Sequence, residues 1–325
     1  MRLLSTSNLK LYEFYYASIP DYAILSHTWG KYEVSLQMMA DPESKKLDGY
    51  AKIKHCCELA LSEGRKYAWI DTCCIDKTSS ADLSEAINSM YRWYERAQVC
   101  YVYLADVSAA IVDWQFRTSR WFRRGWTLQE LLAPTTVVFY NKGWDELGTK
   151  WSLREEISHA TGITHKQMID HKRVNIAARM SWAALRETTR IEDTAYCLLG
   201  LFDINMPLLY GEGSQAFMRL QHEILQTQET DESIFAWRDA GYYRCGLLAR
   251  SPAAFALSGN IRSVKNPNSH VTPPSVTKRL LTMDGLDSDS DYQLHGSMSY
   301  TRKPSPRIIL HCANQGIDDT FIVMN

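Results

Sequence analysis

YAWIDTCCIDKTSSADLSEAINSMYRWYERAQVCYVYLADV, residues 67–107, contains a complete strand–helix–strand unit. Its two ends, YAWID at 67–71 and VCYVYL at 99–104, are short runs of aromatic and β-branched residues, apolar almost without interruption, as strands covered on both faces are. Between them Leu83, Ile87, Met90, Tyr94 and Ala97 recur at three- and four-residue spacing, and Ser79 and Asp82 mark the start of that helix. A connection of this length is what two parallel strands require. The same alternation extends both ways. Upstream stand YAILS at 22–26 and a helical pattern, AKIKHCCELALSEG at 51–64, ending in Gly64. Downstream a third helix begins near Arg124, runs through GWTLQELLA and stops at Pro134, and TTVVFY follows at 135–140. The order βαβαβαβ predicts an α/β fold with an open parallel sheet.

After about residue 150 the pattern turns helical, in SLREEISHATG at 152–162, in a run from Thr189 where Glu192 completes a capping box, and in SQAFMRLQHEILQTQ at 214–228. From Ser233 short β-like runs and turn residues take over, as in KNPNSHVTPPS at 265–275. The expected organisation is an α/β core at 1–150, a helical annex at 151–232 and a small β-rich C-terminal region at 233–325. Charge excludes some functions: 36 basic against 37 acidic side chains leave a formal net of −1, with no uniform field to draw nucleic acid or an anionic membrane. Apolar runs such as CLLGLF at 197–202 fall far short of the ~20 residues that span a bilayer. MRLLSTSNLKLYEF lacks a secretory apolar core, so a cytoplasmic protein is expected. The vicinal pairs Cys56–Cys57 and Cys73–Cys74 read as free thiols. No metal site is expected, because CxxC spacing is lacking and His159, His165 and His171, six residues apart, spread around a helix.

Ligands of open α/β sheets bind at the carboxyl ends of the strands. Those ends deliver Ser26, His27 and Trp29 from the first strand, Asp71 and then Asp76 from the second, and Asp106 from the third. SRWFRRGWTLQELLAP at 119–134 adds Arg120, Arg123, Arg124, Trp121, Trp126 and Glu130 around one helix start. Trp126 and Glu130, four apart, share a face. A carboxylate beside an aromatic ring suits cleavage of a glycosidic bond through a cationic transition state. The alternative makes Glu130 a surface residue and both tryptophans core. Cys74, His27 and Asp71 can be drawn as a Cys–His–Asp hydrolase, but buried packing is the ordinary role of such a cysteine. YGEG at 210–213 has no Walker lysine and reads as a turn.

Three of these blocks, YAILSHTWG at 22–30, residues 67–107 and residues 119–134, strongly resemble the heterokaryon incompatibility (HET) domain of fungi, which triggers cell death when genetically unlike cells fuse. The likeness continues through 180–224 and SIFAW at 233–237, covering about residues 20 to 250. The HET domain in turn is similar to the TIR domain: LSHTWG matches its Ser-containing first loop, IDTCCID its acidic second loop, and SRWFRRGWTLQEL its Ser–Trp–Glu helix, with Trp126 four residues before Glu130.

The resemblance implies a TIR-like, flavodoxin-like core. It implies a cell-death effector of vegetative incompatibility acting as an NAD glycohydrolase, with NAD as substrate and no bound cofactor. Glu130 would be the catalytic carboxylate, Ser26, His27 and Trp29 would line the ribose and phosphate side, and Asp71 and Asp76 would order the loop over the site. Trp121 or Trp126 would stack a ring, and Arg120 would meet the pyrophosphate. The alternative is a non-catalytic death module that works by self-association or by recruiting other incompatibility proteins.

Overall fold

The computed structural model describes residues 1–263 apart from 16–17, 109–111, 113, 228–230 and 239–246, together with short strands at 275–276, 281–282, 308–310, 312–314 and 322–324. The described chain divides into two compact units, one of residues 1–173 with 185–216 and one of residues 174–184 with 217–325.

The first unit is built on a seven-stranded sheet. In chain order its elements are β1 (Arg2–Ser5), β2 (Leu11–Glu13), β3 (Ala23–His27), α1 (Asp48–Ser62), β4 (Tyr67–Trp69), α2 (Asp71–Cys74), α3 (Ser80–Arg96), β5 (Val99–Tyr103), α4 (Trp114–Thr118), α5 (Thr127–Leu132), β6 (Val137–Tyr140) and β7 (Glu146–Thr149). Strand order is β2-β1-β4-β3-β5-β6-β7. The four strands expected from the sequence are mutually parallel, with Ile24 opposite both Trp69 and Cys100, and Tyr101 opposite Val138. Their order, second–first–third–fourth, is that of flavodoxin-like sheets. The sheet is nevertheless mixed at its edges. The hairpin β1–β2 adds to β4 antiparallel (Leu4 opposite Ala68), and β7 adds antiparallel to β6 (Phe139 opposite Gly148). None of these three was expected, since they are three or four residues long and β7 holds Gly148 in place of a β-former.

The central strands carry the apolar burden that both-face covering demands: all five residues of β3 are buried, as are the first four of β5. Helix α3 starts where the sequence placed it, with the Ser79 hydroxyl accepting from the Asp82 N–H (3.3 Å), and buries Ile87, Met90 and Tyr94. Helix α5 packs on β3 and α3, which brings Glu130 over the carboxyl end of the sheet. Beneath it Trp121, Phe122, Phe116 and Phe139 meet edge-to-face, with centroids 5.0–5.7 Å apart. Truncating a buried aromatic of this kind typically costs ~3–5 kcal/mol.

Much of the stretch read as a helical annex is turns. Of the run from Thr189 only Asp193–Tyr196 is helical, and the capping box there does not form. The Glu192 carboxylate instead accepts from the Gly211 and Gly213 N–H groups (2.8 and 3.1 Å), because the chain at 210–213 folds back onto that helix start. Gly200 lies so close to α3 that a Cβ there would be 2.0 Å from Tyr91 Cβ.

In the second unit the helix Ile176–Ser181 packs on residues 232–235 and 252–255. The Gln221 amide donates to the Ala249 carbonyl (2.8 Å) and accepts from its N–H (3.0 Å), so it closes that loop as a backbone pair would. Residues 261–263 pair antiparallel with 312–314, and 308–310 with 322–324. The turn-rich stretch 265–275 lies outside the described residues, Ser275 excepted.

Candidate active site

A cavity of about 350 Å³ opens at the carboxyl ends of the parallel strands. Its floor is the carboxyl of Glu130, a residue only 7% exposed. The Ser26 hydroxyl, at the end of β3, donates to Glu130 Oε2, and Ser26 Oγ in turn accepts from Trp121 Nε1 (2.7 Å). The Tyr94 hydroxyl, beside the carboxyl, donates its proton to the Leu25 carbonyl (3.1 Å). Burial pushes the Glu130 carboxyl up to about 8 even though the Ser26 hydroxyl favours its ionised form. At neutral pH the acid is thus mostly protonated, with Ser26 supplying a donor to one of its oxygens.

One wall comes from β3 and α2. His27, its side chain fully buried, has no hydrogen-bond partner on either ring nitrogen; Nε2 lies 3.8 Å from both Glu33 Oε2 and Asp71 Oδ1, beyond hydrogen-bond reach. Burial, helped by the nearby Lys52 and Lys77 ammonium groups, holds it neutral, well below the ordinary histidine range. The Asp71 carboxylate accepts from Trp29 Nε1 (2.8 Å), and the Lys77 ammonium sits 3.5 Å from the centre of the Trp29 ring. Burial raises Asp71 and lowers Lys77, the one disfavouring its negative and the other its positive form.

The other wall joins the start of α5 to residues 186–210. Gly125 makes this possible, because a Cβ there would strike Thr188 Cγ2 at 2.5 Å, and its N–H donates to the Glu187 carbonyl (2.9 Å). Arg124 Nη1 donates to Thr189 Oγ1 (3.4 Å), and the Arg190 guanidinium stacks on Tyr210 (4.4 Å). Asp193 accepts from the Tyr210 hydroxyl (2.9 Å), with Trp126 beside it in the lining. Behind them the half-buried Arg186 donates to the Arg124 carbonyl (2.9 Å) and Thr127 Oγ1 (3.0 Å), and burial brings its guanidinium down to about 10.

Of the residues singled out in the sequence, His27, Trp29, Asp71, Trp126 and Glu130 line this one cavity, and Ser26 lies directly beneath it, bonded to Glu130. Three do not reach it. Trp121 is fully buried among phenylalanines, where its N–H orients Ser26 and its ring stacks no ligand. Asp76 caps its own loop through Thr78 and Gln37. Arg120 is turned to Asp106, which accepts its backbone N–H (2.8 Å) and lies 3.7 Å from its guanidinium. Glu130 is not the surface residue of the alternative reading. Cys74 is buried with its sulfur accepting from the Ile70 N–H (3.4 Å), and it does not line the cavity with His27. Sequence reasoning passed over Lys77, Arg190, Asp193 and Tyr210, which line it too, as does Arg124. The signal was the second acidic–basic string, TTRIEDTAY at 188–196, lying outside the strand-end pattern.

The cavity at the rim of this flavodoxin-like sheet thus holds three carboxyl groups, those of Asp71, Glu130 and Asp193. Residues 22–113 match the family model described as Heterokaryon incompatibility protein (HET). Over 219 residues the chain is 47% identical to the vegetative incompatibility protein HET-E-1 of Podospora anserina, an alignment that takes in 63% of this chain and 16% of that relative. The match thus involves a small part of a much longer protein. No solved structure matches the chain. Glu130 lies beyond the matched family segment, which holds Ser26, His27, Trp29 and Asp71.

Proposed function

We propose that this chain is a cell-death effector of fungal vegetative incompatibility, and that it acts by hydrolysing NAD at its N-glycosidic bond, as a TIR-like enzyme. The incompatibility role is carried over from the HET family match and the likeness to HET-E-1. The chemistry rests on one observation: a buried carboxyl, held by Ser26, that faces a cavity at the strand ends.

In the reaction the bond from ribose C1′ to the nicotinamide nitrogen breaks, and its electron pair leaves with nicotinamide, which departs neutral. The ribosyl cation is stabilised by the Glu130 carboxylate. Water then adds at C1′ and loses a proton, giving ADP-ribose. The substrate itself helps to ionise Glu130, since a pyridinium cation beside the carboxyl favours its charged form. No general acid is needed, because the leaving group is already cationic. Trp29 and Trp126 offer rings to the departing base. His27, with two unpartnered nitrogens, offers a hydrogen bond to the sugar or to the carboxamide.

Expression of the intact chain in a fungal cell tests this proposal. Death accompanied by NAD loss, both abolished by Glu130→Gln while the protein still accumulates, is the expected outcome. Death that persists undiminished in the Gln variant without NAD loss favours the self-association module instead.

A further inference from the structure

The cavity is electrically two-ended. One end is the sheet rim, with the carboxyl groups of Asp71 and Glu130 and the ammonium of Lys77. The other is the wall of residues 124 and 189–193, with two guanidinium groups and the carboxyl of Asp193. At that end, among the described residues, neither Arg124 nor Arg190 has a carboxylate within ion-pair distance, although Arg2, Lys52, Arg117 and Lys172 do. Arg124 has only the long bond to the Thr189 hydroxyl, and Arg190 lies with its guanidinium carbon 4.4 Å from the centre of the Tyr210 ring. The acid that lines that wall, Asp193, accepts from the Tyr210 hydroxyl. Arg186, packed behind, adds positive potential without reaching the cavity lining.

We infer that Arg124 and Arg190, with the Thr189 hydroxyl between them in the chain, form a diphosphate-binding subsite of this cavity. Paired guanidinium groups match two adjacent tetrahedral anions, and their planar forks give bidentate bonds that an ammonium does not. The inference rests on reading the cavity as a dinucleotide site and names what holds the linkage between the two nucleosides. It transfers that task from Arg120, which is occupied with Asp106. It also gives the cavity an orientation, with the cationic ring at the sheet rim and the diphosphate at the arginine wall.

Titration calorimetry of the full chain carrying Glu130→Gln, with ADP-ribose and inorganic pyrophosphate as probes and adenosine as control, tests the assignment. ADP-ribose is expected to bind, pyrophosphate more weakly, and adenosine weakest. Arg124→Gln and Arg190→Gln should each weaken ADP-ribose at least tenfold, Arg124→Lys and Arg190→Lys should restore part of the loss, and Arg120→Gln should change nothing. Circular dichroism confirms that each variant is folded, and the Lys variants carry the test if a Gln variant is not. ADP-ribose that fails to bind, or that binds the arginine variants as tightly as the parent, overturns the subsite. Arginine-dependent binding in a chain that never releases nicotinamide leaves the subsite standing and removes the catalytic reading.

Discussion

Replacing Glu130 by Gln should stabilise the protein at neutral pH. The unfolded carboxyl ionises near 4.5, whereas in the folded chain burial raises it to about 8. A group raised in this way contributes fully below its unfolded value, and the contribution is lost as pH rises towards the folded one. At ~1.36 kcal/mol per unit, the wild-type carboxyl costs about 3 kcal/mol at pH 7 and about 5 kcal/mol above pH 8. Glutamine does not titrate, has nearly the same shape and keeps an oxygen for the Ser26 hydroxyl. The variant should therefore match wild type near pH 4 and exceed it by about 3 kcal/mol at pH 7, roughly 6–12 °C in melting midpoint for a unit of this size. Urea titrations from pH 4 to 8, followed by the fluorescence of the buried Trp69 and Trp121, measure the gap. Such a gain is the mark of a residue kept for chemistry at the expense of stability. A Gln variant less stable than wild type at pH 7, or a gap independent of pH, refutes the argument.

Other outcomes follow from the same geometry. In pH–rate profiles kcat/KM for NAD should rise with pH through an apparent value near 8, with the limb in kcat lower because the bound cation favours the carboxylate; a profile falling across that range contradicts the assignment. Ser26→Ala strands the Trp121 N–H and removes a donor from Glu130, so it should cost ~1–3 kcal/mol in urea unfolding and move the kcat/KM limb to higher pH. Gly200→Ala forces a methyl into Tyr91 and should cost at least ~1–3 kcal/mol, read as a lower melting midpoint. Cys56, Cys57 and Cys73 are buried thiols raised by their surroundings, Cys56 and Cys57 chiefly by burial and Cys73 by its bond to Cys74, so a thiol reagent should label them only in urea.

The parallel core was legible because both-face burial writes itself as near-continuous apolar runs, and the helical spacing of Ile87, Met90 and Tyr94 placed the crossover between two of them. The edge strands were not, because a strand paired on one side needs little apolar character: LYE at 11–13 and ELGT at 146–149 carry none of the pattern. The carboxyl-end rule located His27, Trp29 and Asp71, and the shared face of Trp126 and Glu130 located the floor. It did not locate Arg190, Asp193 or Tyr210, which lie some sixty to eighty residues after Glu130 and are brought to the rim by turns around Gly125 and by the bonds of Glu192 to Gly211 and Gly213. Nor does a one-dimensional pattern tell which of two neighbouring tryptophans faces out. Trp121 is drawn inward by Phe116 and Phe139, which are close only in space.

The central claim is that Glu130 cleaves NAD. Purified full-length chain is incubated with NAD, and free nicotinamide and ADP-ribose are separated and quantified over time, with the Glu130→Gln protein alongside. The account predicts the two products in equal amounts from wild type and a rate at least 10²-fold lower from the variant, the usual scale for losing one electrostatic stabiliser of a transition state. Nicotinamide released equally by both proteins, or by neither while both are folded and bind ADP-ribose, contradicts it.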